Sequence, residues 1–228
     1  MATIELNGIY KIFKEATVET VALRGADFSV ESGDSVAVSG RSGSGKSTLV
    51  SIVAGLARPS AGTVRVDGMD ISALDEKDRT AFRLRTVGIV YQEFNLIPYL
   101  SARENVMLPL QLAGRRNASA RASELLRSIG LANRERHKPA ELSGGERQRV
   151  AVAVAAANEP RILIADEPTG ELDAENSAAL MDLLLEMNLH GGTTLVIVTH
   201  NEAVAARAKR RVFMDDGRIT REGAARHG

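Results

Sequence analysis

The chain has 228 residues, enough for one large domain or two small ones, and its 29 Lys+Arg are matched by 29 Asp+Glu. That balance excludes the global basic field of a nucleic-acid binder, and the absence of cysteine excludes disulfides and thiolate metal sites and favours a reducing, intracellular setting. The longest apolar run, VAVAVAAA at 150–157, is far short of the roughly 18 residues that span a bilayer.

The N-terminal MATIELNGIYK has no apolar h-region, so no secretory signal is expected. Short strand-like runs follow (TIEL, ADFSV, SVAVS), separated by turn signals such as ESGD. SVAVS feeds a glycine-rich loop and then KSTLVSIVAGL, which reads as a helix. GTVRVDG looks like an edge strand and VGIVYQ like a buried one. Residues 101–158 are mostly helical in pattern, broken at LAGRRN, IGLAN and HKPAEL. Strand and helix then alternate: RILIAD, a helix from about Ala174 to His190, TLVIVT, and a helix from Asn201. RVFMDDGRIT closes as a hairpin turning at Asp216–Gly217. Two all-apolar strands separated by a long helix imply a parallel sheet covered on both faces. The organisation is one α/β domain, 1–228, with a core of 1–91 and 159–228 and an inserted helical subdomain at 92–158.

Chemistry begins at GRSGSGKST, Gly40, Arg41, Ser42, Gly43, Ser44, Gly45, Lys46, Ser47 and Thr48. It fits the phosphate-binding loop G-x-x-x-x-G-K-[ST] and stands between a predicted strand and a predicted helix. Glycines let the backbone wrap close to phosphates while the following helix adds its positive end. Lys46 would contact the β- and γ-phosphates, and Ser47 would offer its hydroxyl oxygen to Mg²⁺. The strand RILIAD ends in two adjacent carboxylates. Asp166 suits the outer shell of Mg²⁺, and Glu167 would polarise a water for attack on the γ-phosphate. In LSGGERQRV, Ser143 and Glu146 read as a capping box, which leaves the paired Gly144 and Gly145 to be explained.

GRSGSGKST, YQEFNLIP, LSGGERQRVAVA, ILIADEPTGELD and LVIVTH occur in the order and spacing of an ATP-binding-cassette (ABC) ATPase, and the resemblance covers nearly the whole chain. It implies a P-loop NTPase, RecA-like fold: a parallel-sheet core, an antiparallel β subdomain and the helical insertion. It also implies an ATP-hydrolysing subunit that uses ATP and Mg²⁺ and dimerises head to tail. Ser143, Gly144 and Gly145 of one copy would then meet the γ-phosphate held by the other, with Asp173 touching the opposite P-loop. Gln92 resembles the loop glutamine that reaches Mg²⁺ and the attacking water, and His200 the switch histidine. The adenine-stacking aromatic aligns with Phe13, with Tyr10 as the substitute. Two positions depart from the family pattern: Glu171 replaces an asparagine near the dimer seam, and Val154 an arginine after the signature.

VGIVYQEFNLIPYLSARENVMLPL is similar to the MacB and LolD ATPases, with FtsE nearby, all of which pair with FtsX-like permeases. The resemblance places the chain on the cytoplasmic face of the inner membrane, held by a permease that docks near Phe94, Leu96, Ile97 and Tyr99. An FtsE-like regulator of cell-wall machinery is the alternative. Non-transport cassettes fit less well, because this chain carries one cassette and only a short helical insertion. No nucleic-acid partner is expected.

Overall fold

The computed structural model describes residues 2–15 and 18–224. The chain opens with two long antiparallel strands, β1 (Ala2–Glu15) and β2 (Val18–Glu31), followed by β3 (Ser35–Gly40) and helix α1 (Lys46–Val53). Next come β4 (Ala61–Val66), the two-residue β5 (Met69–Asp70), α2 (Glu76–Thr86) and β6 (Val87–Val90). The helical stretch supplies α3 (Ala102–Leu112), α4 (Ala118–Ser128) and α5 (Gly144–Ala156). The chain then returns to β7 (Ile162–Asp166), α6 (Ala174–Gly191), β8 (Thr194–Val198), the short α7 (Glu202–Ala205), β9 (Arg210–Asp215) and β10 (Arg218–Ala224).

Two sheets form. One is antiparallel in the order β2-β1-β4-β5; the other has the order β10-β9-β3-β8-β7-β6, parallel from β9 to β6 with β10 antiparallel at its edge. The apolar strands of the second sheet alternate strictly between two covered faces. Val36, Val38, Ile162, Ile164, Val196 and Val198 point to a cluster shared with α1 and the antiparallel sheet. Their neighbours Ala37, Leu163, Ala165, Leu195 and Ile197 pack on α6 and α7. Helix α1 is therefore buried between the two sheets, and the loop before it is held by both. A third cluster joins α3, α4 and α5.

Three expectations change in detail. TIEL begins a much longer strand, because register shifts around Gly8 break the period-2 pattern; Gly8 has φ 58° and donates its N–H to Asp27 Oδ1 at 2.7 Å. The GTVRVDG strand lies between β1 and β5 instead of at the edge. The helix after Asn201 is one turn, ended by the approach to β9. The hairpin turns as expected, with Asp216 and Gly217 at φ 43° and 72°.

Candidate functional site: a phosphate cavity at the strand ends

β3 ends at Gly40, and the turn into α1 passes through Gly40, Gly43 and Gly45 at φ 153°, 77° and 100°. The three glycines serve different ends. A Cβ on Gly40 would lie 2.2 Å from the Met214 carbonyl oxygen and one on Gly45 2.6 Å from that of Ala22, so both let the loop pack against the protein. A Cβ on Gly43 would meet nothing within 4 Å; there the backbone faces open space. Gly45 caps α1 without a side chain, which leaves the first-turn N–H groups for an anion. The Lys46 ammonium bridges the loop, donating to the carbonyls of Gly40 and Arg41 at 2.8 and 2.9 Å.

β7 delivers the acidic pair. Burial is the main cause that pushes the Asp166 carboxyl above its usual range; the Glu167 charge adds to it and Lys46 opposes it. Glu167 turns out of the strand at φ 47°, donating its N–H to Val198. Its carboxylate accepts from the His200 backbone N–H at 3.1 Å and from His200 Nδ1 at 2.9 Å. A carboxylate only accepts, so Nδ1 carries the hydrogen. β6 leads to Gln92, whose amide lies against Gly170: a Cβ there would be 3.0 Å from Gln92 Nε2.

These groups meet. Lys46, Ser47, Gln92, Asp166, Glu167 and His200 all line one cavity of about 720 Å³ beside the glycine loop. Ser44 is buried beneath the loop and does not line it. Ser47, Gln92 and Asp166 offer a hydroxyl, an amide oxygen and a carboxylate, the hard oxygen set that suits Mg²⁺. Three protein oxygens fill half of an octahedral shell, which leaves places for phosphate oxygens and waters.

Phe13 and Tyr10 are both 44% exposed and neither lines the cavity. Phe13 pairs across the sheet with Thr20, which does line it, and carries the Lys11 ammonium 4.9 Å above its ring. Tyr10 instead lies on Gly25, where a Cβ would come within 3.2 Å of its hydroxyl. Thr20, Val21 and Ala22 of β2 are cavity residues for which the sequence offers no motif.

Ser143, Gly144, Gly145 and Asp173 lie outside this cavity. Ser143 caps α5 in a closed capping box: Glu146 N–H donates to its Oγ at 3.2 Å, and its own N–H donates to Glu146 Oε2 at 2.8 Å. Gly145 has an explanation within the chain, since a Cβ would fall 2.2 Å from Asn176 Oδ1. Gly144 has room, with nothing nearer than Leu172 at 3.8 Å. Asp173 caps α6 and holds Asn176 through backbone and side chain.

A second cleft of about 480 Å³ runs between α2, β6 and the helical segment; it is lined by Phe94, Leu112 and Val154, among others. Val154 completes an apolar wall there. Phe94 lies under the Arg147 guanidinium, 4.8 Å away, and Tyr99 is 73% exposed. Leu96 packs on the helical cluster and the Ile97 backbone is gripped by Asn105, so these two belong in part to the loop's own packing.

Residues 23–170 match the family model described as ABC transporter. The chain belongs to the ABC transporter family. It is 46% identical over 95% of its length to the lipoprotein-releasing system ATP-binding protein LolD of Syntrophus aciditrophicus, covering 98% of that protein. It is 47% identical, again over 95%, to LolD 2 of Caulobacter vibrioides, covering 96% of it. Its fold overlays the ATP-binding cassette MJ0796 in a dimeric post-hydrolysis state bound to ADP and Pi, with a TM-score of 0.90, 37% identity and coverage of 99% and 100%. A second dimeric MJ0796 structure also gives 0.90, at 38% identity. The chain is thus an ABC-type ATPase, the ATP-binding subunit of a transporter of the LolD/MacB type.

Proposed function

We propose that this ABC ATPase hydrolyses Mg²⁺-ATP in a site completed by a second copy of itself, and that the cycle drives an FtsX/MacB-like permease at the cytoplasmic face of the inner membrane. The observation that carries this reading is the convergence of Lys46, Gln92, Asp166, Glu167 and His200 on one cavity. Lys46 exchanges its two loop carbonyls for the β- and γ-phosphates, while the uncapped start of α1 and the backbone from Gly40 to Thr48 hold the remaining oxygens. Ser47, Asp166 and Gln92 would hold Mg²⁺, which supplies charge neutralisation across the phosphates when bound. Glu167 takes the proton of the attacking water, Gln92 orients it, and His200, tied to Glu167, reaches the γ-phosphate. Phe13, beside Thr20, stacks on the base.

Ser143 and the Gly144 and Gly145 N–H groups of the second copy close on the γ-phosphate, with Asp173 on the opposite P-loop. In the capping box the Ser143 oxygen accepts from Glu146, so its own hydrogen stays free to donate. We assign 92–158 as the inserted helical subdomain, supported by its separate apolar cluster, with 1–91 and 159–228 as the core. Helix α5 joins the two, because Val152 packs on the core side. The permease would seat on the cleft edged by Phe94, with Tyr99 beside it. No helix among the described residues is long and apolar enough to cross a membrane.

Glu167→Gln keeps shape and removes charge. Hydrolysis should fall by about 10²- to 10⁴-fold, and on gel filtration the variant should run as a dimer with ATP and largely as a monomer without it. Adding Ser143→Arg should restore the monomer while each P-loop still binds ATP. A double variant that dimerises as well as Glu167→Gln alone would refute the composite site.

A further inference from the structure

Helix α5 lies against β6 with no side chain between them at one point: a Cβ on Gly88 would be 2.2 Å from the Ala155 carbonyl oxygen. That approach carries Gln148 between the loops that follow β6 and β7, where it is fully buried at 0% exposure. Its Nε2 donates to the Tyr91 carbonyl at 3.1 Å and to the Pro168 carbonyl at 2.9 Å. Both partners only accept, so the NH₂ end must face them and the amide orientation is fixed. Oε1 has no hydrogen-bond partner among the described residues.

Both carbonyls adjoin proposed reacting groups. Tyr91 precedes Gln92, and Pro168 follows Glu167. On the other side of the same pair of loops, Gly170 admits the Gln92 side chain. We infer that Gln148 is a positioning residue for hydrolysis: its single amide clasps the Gln92 loop to the Glu167 loop, so that the water-orienting amide and the base address one γ-phosphate. This rests on the roles proposed above for Gln92 and Glu167. Because Ser143 caps α5, the clasp also joins the signature end of the helix to both loops.

The test uses the full chain with Gln148→Met, which keeps length and donates nothing, and Gln148→Glu. For Gln148→Met, affinity for a non-hydrolysable ATP analogue should stay within about twofold while kcat falls about ten- to a hundredfold. The carboxyl of Gln148→Glu donates one hydrogen only when protonated, and burial favours that form. Its kcat relative to wild type should therefore climb as the pH is lowered from about 8 to about 6. A residue that merely fills space would change affinity and kcat together and show no such climb.

Hydrolysis surviving in Glu167→Gln would overturn the reading beneath the inference, and the inference with it. If Glu167→Gln is inactive while Gln148→Met keeps kcat within about twofold of wild type, or loses affinity in proportion, the inference alone fails. Should Gln148→Met not fold, a flat pH ratio for Gln148→Glu overturns it. Failure of both variants to fold overturns it too, by making Gln148 a core residue.

Discussion

At Gly45 the chain enters α1 with no side chain capping the helix, whereas at Ser143 it enters α5 through a closed capping box. Both junctions are serine- and glycine-rich, and both helices present positive ends. In the first, glycines take positive φ and no side chain caps the first-turn N–H groups, while Lys46 donates to the loop's own carbonyls. In the second, the capping box uses the N–H groups of Ser143 and Glu146 and leaves those of Gly144 and Gly145, two of the four that a helix start cannot pair internally. On the function proposed above, the P-loop is a site made by one chain, and the signature is a capped helix start with two donors to spare for another. Similar composition does not mean similar duty; the cap decides.

The largest change should come from removing the Lys46 ammonium of the first junction. Lys46→Ala should cost about 2–3 kcal/mol of ATP binding, tens- to a hundredfold in affinity, with hydrolysis falling at least as far. Titration with a fluorescent ATP analogue reads this directly. ATPase activity at the wild-type level would break the comparison at its first limb. GTP should be discriminated only modestly, because stacking on Phe13 is the one base contact proposed.

The P-loop was legible from sequence because its chemistry needs fixed residue types within one contiguous stretch, and strand alternation with both faces apolar gave the parallel sheet. The limits lie where a residue answers to something distant in the chain. Gly145 faces Asn176, Gly88 faces Ala155 and Gln148 faces Tyr91 and Pro168; no local pattern carries those contacts. Thr20 to Ala22 join the cavity through the pairing of β1 and β2, whose bulges hide the period that would have placed them. The proposal of Phe13 over Tyr10 rests on the same register. Leu96 and Ile97 carry the apolar character of a docking surface, yet Leu96 packs on the helical cluster and the Ile97 main chain is held by Asn105.

The two glycines of the signature should separate under substitution. Gly145→Ala must push Asn176 out of its bonds with Asp173, a cost of about 1–3 kcal/mol by urea unfolding. Asn176→Ala in the same chain should recover most of it. Gly144→Ala meets only ordinary contact, and alanine in a helix is favoured over glycine by up to about 1 kcal/mol, so stability should hold or rise. ATP-driven dimerisation in the Glu167→Gln background should nevertheless weaken, since the added methyl stands where the second copy's phosphate approaches. Equal stability losses at 144 and 145 would remove the distinction between packing and ligand-facing glycines.

The smallest effect concerns the cap itself. Glu146 accepts from Arg134 and from the Ser143 N–H, each at 2.8 Å, and these bonds, Arg134 first, lower its pKa from 4.5 to about 2. A carboxyl with a depressed folded pKa stabilises the fold above its unfolded value and loses that contribution as the pH falls through the folded one. Glu146→Gln keeps an oxygen for Ser143 and loses the charge. Its side chain is 18% exposed, so solvent screens part of the attraction, and the deficit near neutrality should be about 1 kcal/mol. That deficit should hold down to pH 4.5 and shrink towards zero by about pH 2. Helix α1 has no acidic residue in its first turn, so of the two junctions only the signature end has this titration. Urea unfolding of both chains across that range decides it: a difference unchanged from about pH 5 to about pH 2 would mean that the cap is held by shape and not by charge.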